Sequence, residues 1–243
     1  MSTTATQPVS RRSRPAKTAL SREAIVAAAV NLLRTEGLEH LTMRKLAAAL
    51  DTGAGSLYVY FRSVEHLYAT LLDELLGEVD LSQAGSDLPW QDRIAGIVAS
   101  YTAVLFAYPS IARLSVFTRP SGPNSLGVLE TLLTLLLEGG VDPAAATWGT
   151  DLLIQYATTT AAEHSTRDQR PETADEENDM AVALGGLDVA VYPHLHELRG
   201  VLVAGEGGER FRWGIDVLLS GIAAASSVAL PRSCAPSAVG AAQ

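Results

Sequence analysis

The sequence predicts an all-α fold. Ala and Leu dominate the 243-residue chain, while aromatic residues make up only 6% of it. Apolar residues recur at three- and four-residue intervals, and strand-type alternation is rare. Pro89, Pro109, Pro123 and Pro143 each stand near the start of a helix-like run, where a missing N–H costs little. The length suits one large core, or a small domain followed by a larger one.

Each element has a local cause. Residues 1–19 are rich in Ser, Thr, Pro and Arg and are expected to be disordered. Ser21 is a good N-cap with Glu23 in the first turn, and Ile25, Ala28, Ala29, Leu32 and Leu33 form one apolar face. Gly37 stops that helix. Thr42 caps a short second helix whose inner face carries Leu46, Ala47 and Leu50. Asp51-Thr52-Gly53 reads as a turn, and a third short helix is expected from about Ala54 to Phe61. A longer helix should run from about Glu65 to Glu78. Further helices are expected near 90–107, 109–116, 124–138, 143–165 and 208–227. The acidic stretch Glu172–Asp179 reads as a mobile connection, and residues 231–243 as a second disordered tail.

The net charge of −9 conceals a division. Residues 1–64 balance to +5 and residues 65–243 to −14. A basic head on an acidic body points to a polyanion partner for the head alone. Arg11, Arg12, Arg14 and Lys17 of the tail either reach a phosphate backbone or minor groove, or serve only as a solubilising tail.

Three helices in about 45 residues, with a tight turn between the second and third, fit a helix-turn-helix. Arg44 and Lys45 stand in the first turn of helix two, where the helix dipole disfavours cations. Phosphate oxygens at that end would offset the cost, and Arg can also grip a guanine edge bidentately. Leu57 and Phe61, spaced i, i+4, should face inward. Ser56, Tyr58 and Tyr60 then point outward with hydroxyl donors next to Arg62, and Ala54 and Gly55 permit close approach. The other reading of Tyr58 and Tyr60 is as packing aromatics.

Leu41-Thr42-Met43-Arg44-Lys45-Leu46-Ala47, then Gly53 to Tyr58, then Tyr60-Phe61, resemble the DNA-binding domain of the TetR family of repressors. The resemblance implies DNA contacts from Thr42 and Arg44 on helix two, and from Gly55, Ser56, Tyr58 and Tyr60 on helix three. Where the family usually has a phosphate-binding Lys at the start of helix four, this chain has Val64; Arg62 or the basic tail would have to substitute.

The body is similar to the C-terminal domain of the tetracycline repressors within that family, through Trp90-Gln91-Asp92, Thr118-Arg119-Pro120, and Phe211-x-x-Gly214 followed by Gly221. This likeness implies a ligand cavity lined from helices five to eight. It also implies a homodimer made by a four-helix bundle of the 143–165 and 208–227 helices. Thr118, Arg119 and Pro120 match the ligand-facing turn, and Tyr101 replaces an aromatic wall residue. Gln155, Tyr156 and Thr159 are further lining candidates, each open to a purely core role. The metal-binding His of those repressors falls on Ser115, and their ligand-bonding Asn on Ile97. The pocket is therefore expected to be more apolar and to take a different small-molecule effector.

The domain expectation is thus a basic tail over 1–19, a helix-turn-helix domain over 20–64, a ligand-binding and dimerisation domain over 65–230, and a tail over 231–243. Operator DNA, a small-molecule effector and a second copy of the chain are the expected partners, with no cofactor and no metal. His194 and His196, spaced i, i+2, lack a Cys or carboxylate cluster to complete a metal site. An enzyme with a helical fold is the competing class; the chain shows no nucleophile elbow, P-loop or dinucleotide fingerprint. A DNA-binding regulator without a ligand is the second alternative. The single cysteine, Cys234, and the lack of an apolar leader suit the cytoplasm. The uncharged stretch Ile94–Ala112 reads as a buried core helix rather than a membrane span.

Overall fold

The computed structural model of the protein describes residues 20–167, 170 and 172–225. Arg11, Arg12, Arg14 and Lys17 of the N-terminal tail, and the C-terminal tail with Cys234, lie outside the described residues. The described residues form α-helices and short 3-10 turns, with no strand among them. The chain divides into two compact units, one up to Val64 and one from Glu65.

The first unit starts with α1 (Arg22–Glu36), where the Ser21 hydroxyl accepts a hydrogen bond from the Ala24 N–H at 3.1 Å. The helix buries Ile25, Val26, Ala29, Leu32 and Leu33, and ends at Gly37 with φ 86°, a conformation glycine adopts without a Cβ clash. Thr42 caps α2 (Met43–Ala49) by accepting from the Lys45 N–H. The turn that follows places Asp51 at φ 48°, one of the few non-glycine residue types that tolerate the left-handed region. The third helix is shorter than its expected span. Regular α3 covers Ala54–Leu57, and a tight turn carries the chain to Phe61, with the Tyr60 and Phe61 N–H groups both donating to the Leu57 carbonyl. Leu57 and Phe61 are fully buried.

The second unit contains α4 (Val64–Leu76) apart from its first residue, α5 (Trp90–Ala107), α6 (Pro109–Ser115), α7 (Pro123–Glu138), α8 (Pro143–Arg167), α9 (Thr173–Gly185), α10 (Pro193–Val203) and α11 (Gly207–Ala224). The long uncharged stretch is not one helix. It bends by 118° between α5 and α6, where Pro109 restarts the helix. No single helix among the described residues is long and apolar enough to cross a membrane.

At the centre lies α8, packed against α5, α6, α7 and α11. Its buried Ala144, Ala145, Ala146, Gly149, Ala157 and Ala161 let neighbouring helices approach closely. A Cβ at Gly149 would stand 2.8 Å from Ile222 of α11, and one at Gly214 would meet the Tyr156 hydroxyl at 2.2 Å. The Trp90-Gln91-Asp92 block is structural: Trp90 packs where a Gly139 Cβ would sit, and Asp92 pairs with Arg212 of α11 at 2.6 Å.

The stretch Glu172–Asp179 is not a loose connection but lies largely within α9. Two of its five acidic residues, Asp175 and Glu176, fall in the first turn and a third, Glu172, at the N-cap, where the helix dipole favours negative charge. The helix α10 was likewise not expected, although Pro193 supplies the same N-terminal signal as the other prolines. His194 and His196 lie on α10, where an i, i+2 pair points apart, and no metal-binding cluster is found among the described residues.

Candidate nucleic-acid interface and ligand cavity

Thr42 and Arg44 at the start of α2, Gly55 and Ser56 on α3, and Tyr58 at its C-cap are all exposed. Arg44 makes no ion pair among the described residues and stands in the N-terminal turn of α2, so a facing phosphate would relieve its conflict with the helix dipole. No atom stands within 4 Å of where a Gly55 Cβ would be, leaving room for a close backbone approach. Val59, 82% exposed, adds an apolar surface.

Three expected contact residues are placed differently. Lys45 pairs with Glu36 of α1. Both side chains remain substantially exposed, and such pairs are worth about 0–1 kcal/mol, so a phosphate can compete for the ammonium. Tyr60 does not offer its hydroxyl outward: it donates at 2.5 Å to the Leu20 carbonyl and ties the chain entry to the end of the recognition segment. The nearby Arg22 guanidinium lies 4.9 Å from the Phe61 ring centroid and reinforces that tie. Arg62 is exposed but already engaged in an interaction of its own.

The body holds a cavity of about 300 Å³. Leu72 and Leu76 from α4, Tyr101 from α5, Ser115 from α6, Thr118, Arg119 and Pro120 from the following turn, and Gln155 and Thr159 from α8 all line it. Seven of the eight residues expected from the sequence therefore meet around one space, and Tyr156 does not. Its ring stacks on Phe211 at 5.5 Å between centroids, on the side of α8 that packs against α11. Ile97 is fully buried and does not line the cavity.

The apolar part of the wall is aliphatic, with Val116, Val128, Leu129 and Ile154 adding to the leucines, and hydroxyl-bearing and other polar side chains are set among them. In the interior the Tyr101 and Thr158 hydroxyls lie 2.9 Å apart, both buried. Burial pushes the Tyr101 phenol above its ordinary pKa, with the Thr158 hydrogen bond acting in the other direction, so the phenol stays protonated at neutral pH. At the exposed rim Arg119 pairs with Asp151 at 3.1 Å.

Sequence reasoning missed Asp151, Ile154 and Thr158, yet a signal existed. With Gln155 they form the i, i+3, i+4, i+7 face of α8. It also missed Leu72 and Leu76, so the cavity draws on α4 as well as on helices five to eight.

Residues 25–71 match the family model for bacterial regulatory proteins of the tetR family, and residues 83–226 match the tetracyclin repressor-like C-terminal domain. A transcription regulator of known structure from Streptomyces coelicolor is 43% identical, with a TM-score of 0.72 over 88% of this chain and 100% of that one. ActR of Streptomyces coelicolor, solved in complex with actinorhodin, is 30% identical, with a TM-score of 0.73 over 84% of this chain and 97% of the other. The class G tetracycline repressor protein of Vibrio anguillarum is 28% identical over 207 residues, 84% of this chain and 94% of its own. An HTH-type transcriptional regulator of Saccharopolyspora erythraea is 38% identical over 125 residues, and this chain spans only 52% of its length. The chain belongs to the TetR family. Membership of that family makes it a DNA-binding transcriptional regulator rather than an enzyme.

Proposed function

We propose that a homodimer of this chain holds a near-palindromic operator through Thr42, Arg44, Lys45, Gly55, Ser56, Tyr58 and Arg62, and releases it when a small molecule fills the cavity. The observation that carries the reading is the cavity itself. It is closed on one side by Leu72 and Leu76 of α4, the helix into which the head's chain continues. A ligand that displaces those two leucines acts on the element leading to the DNA-binding residues. The cytoplasm is the compartment this function requires.

Dimerisation is supported by an uncovered apolar stripe. Trp148 and Leu152 on α8, and Trp213 and Val217 on α11, are each an i, i+4 pair and are 41–70% exposed. These two helices already pack on each other within the chain, so a second copy would complete a four-helix bundle and cover both stripes.

The effector is an uncharged or weakly polar molecule rather than a metal chelate. Among the residues lining the cavity none is a histidine, and its single carboxylate, Asp151, is tied to Arg119. Selection of bound duplexes from a random DNA pool tests the reading. Enrichment of a two-fold symmetric site, with affinity falling steeply as salt rises, is expected. An unenriched pool would overturn it.

A further inference from the structure

The hydroxyl groups around the cavity differ in what their protons already do. Ser115 donates to the Ala112 carbonyl at 2.7 Å, Ser125 to the Gly122 carbonyl at 3.0 Å, and Thr159 to the Gln155 carbonyl at 2.8 Å. Those three protons are committed to the backbone of their own helices. The Tyr101–Thr158 pair is different: the two hydroxyls bond to each other, and whichever donates, the partner's proton is left over. Both side chains are more than nine-tenths buried beside a wall whose surface is in larger part apolar, where a donor without an acceptor is costly. The raised pKa of Tyr101 removes the alternative in which the phenol ionises and acts as an acceptor only.

We propose that the effector is an apolar molecule bearing an acceptor oxygen, such as a ketone, quinone or lactone carbonyl, and that this oxygen docks on the Tyr101–Thr158 hydroxyl pair. The inference rests on the reading of this cavity as the effector site and adds the chemistry recognised there. Hydrocarbon surface fills the space between Leu72, Leu76, Val128, Leu129 and Ile154, and the carbonyl fixes the orientation. Ligands with donors only, such as alkylammonium ions, leave the spare hydroxyl proton unsatisfied and are rejected.

Fluorenone and fluorene test this directly, since they share a carbon frame and differ by one carbonyl oxygen. Equilibrium dialysis against the full-length protein should show fluorenone bound about five- to tenfold more tightly, the worth of one net hydrogen bond. The preference should vanish in Tyr101→Phe, with circular dichroism reporting whether that variant is folded. The infrared carbonyl band of bound fluorenone, read on the unsubstituted protein, provides a measurement that needs no variant. It should move to lower wavenumber than in hexane. Equal affinities for the two probes, binding of neither, a preference that survives in folded Tyr101→Phe, or an unshifted band would each overturn the proposal. Affinity of the same preparation for its selected duplex separates the two readings. Loss of DNA binding removes the regulator, whereas intact DNA binding with no carbonyl preference removes only this inference.

Discussion

The Asp73 carboxylate, on α4, accepts a hydrogen bond at 2.9 Å from the Ser125 N–H in the first turn of α7. The N-cap of α7 is Gly122, which has no side chain to cap with, so a residue 52 positions away in sequence does it instead. Asn124 returns a second bond, from its amide to the Asp73 carbonyl at 3.0 Å. A Cβ at Gly122 would stand 2.1 Å from the Asp73 carboxylate, so any larger residue there would push that carboxylate off its cap. Because both helices also line the cavity, α4 and α7 are latched together beside it.

Replacing Asp73 by Ala is expected to destabilise the second unit by about 1–3 kcal/mol, through loss of a buried cap and the N–H left unsatisfied. Asp73→Asn keeps an acceptor and should lose less. Urea denaturation followed by circular dichroism reads both. An Ala variant as stable as the natural protein would mean that the cap is not formed in solution.

On the head, Arg44→Ala should weaken binding to the selected duplex at least about tenfold, consistent with 1–3 kcal/mol for a bidentate base contact. Lys45→Ala should cost less, since its ammonium must first leave Glu36. Tyr60→Phe should lower the melting temperature of the protein while leaving base preference intact, because its hydroxyl bonds to Leu20. Fluorescence anisotropy with labelled duplex measures the affinities. Undiminished binding by Arg44→Ala would remove that side chain from the interface.

Trp213→Glu is the test of assembly. The side chain is 70% exposed and belongs to the apolar stripe of α11, so a carboxylate there costs the single chain little but would be buried unpaired in a dimer. Sedimentation should show a dimer for the natural protein at micromolar concentration and a monomer for the variant. A natural protein that is monomeric throughout would refute the four-helix-bundle interface.

What was legible in the sequence was what local chemistry controls. The Ser21 and Thr42 caps, the Gly37 stop and the proline starts each act over three or four residues, and α1 and α2 begin and end where those signals stand. The errors come from partners distant along the chain. Nothing near Tyr60 announces the Leu20 carbonyl, and nothing near Tyr156 announces Phe211, so neither the outward hydroxyl expected of Tyr60 nor the cavity-lining position offered for Tyr156 matches its partner. The Tyr101–Thr158 pair spans 57 positions, and the Asp73 cap spans 52. The Glu172–Asp179 segment differs for another reason: high charge density suggests a loop, yet acidic residues gathered at a helix start support the helix.

Magnesium–tetracycline should be a poor inducer despite the family match of the C-terminal domain. A chelated magnesium needs a protein ligand, and Ser115 stands where the resemblance places the imidazole. Ser115 is buried, with its hydroxyl proton held by the Ala112 carbonyl, so it offers a neutral oxygen in a confined space. Asp151 is the one carboxylate in the cavity lining, and it lies at the rim, neutralised by Arg119. Hard divalent cations favour several oxygen ligands, carboxylates above all, and a lone hydroxyl does not supply that set. An effector shifts the equilibrium between DNA-bound and free protein only by its differential affinity for the two states, so weak occupancy gives weak release. Titration of the protein–duplex complex with tetracycline and magnesium, followed by anisotropy, should leave the complex intact at micromolar drug. Ser115→His should restore some sensitivity if the imidazole was the missing element. Release of the natural protein's complex at micromolar drug would show that the cavity recognises the chelate by other groups.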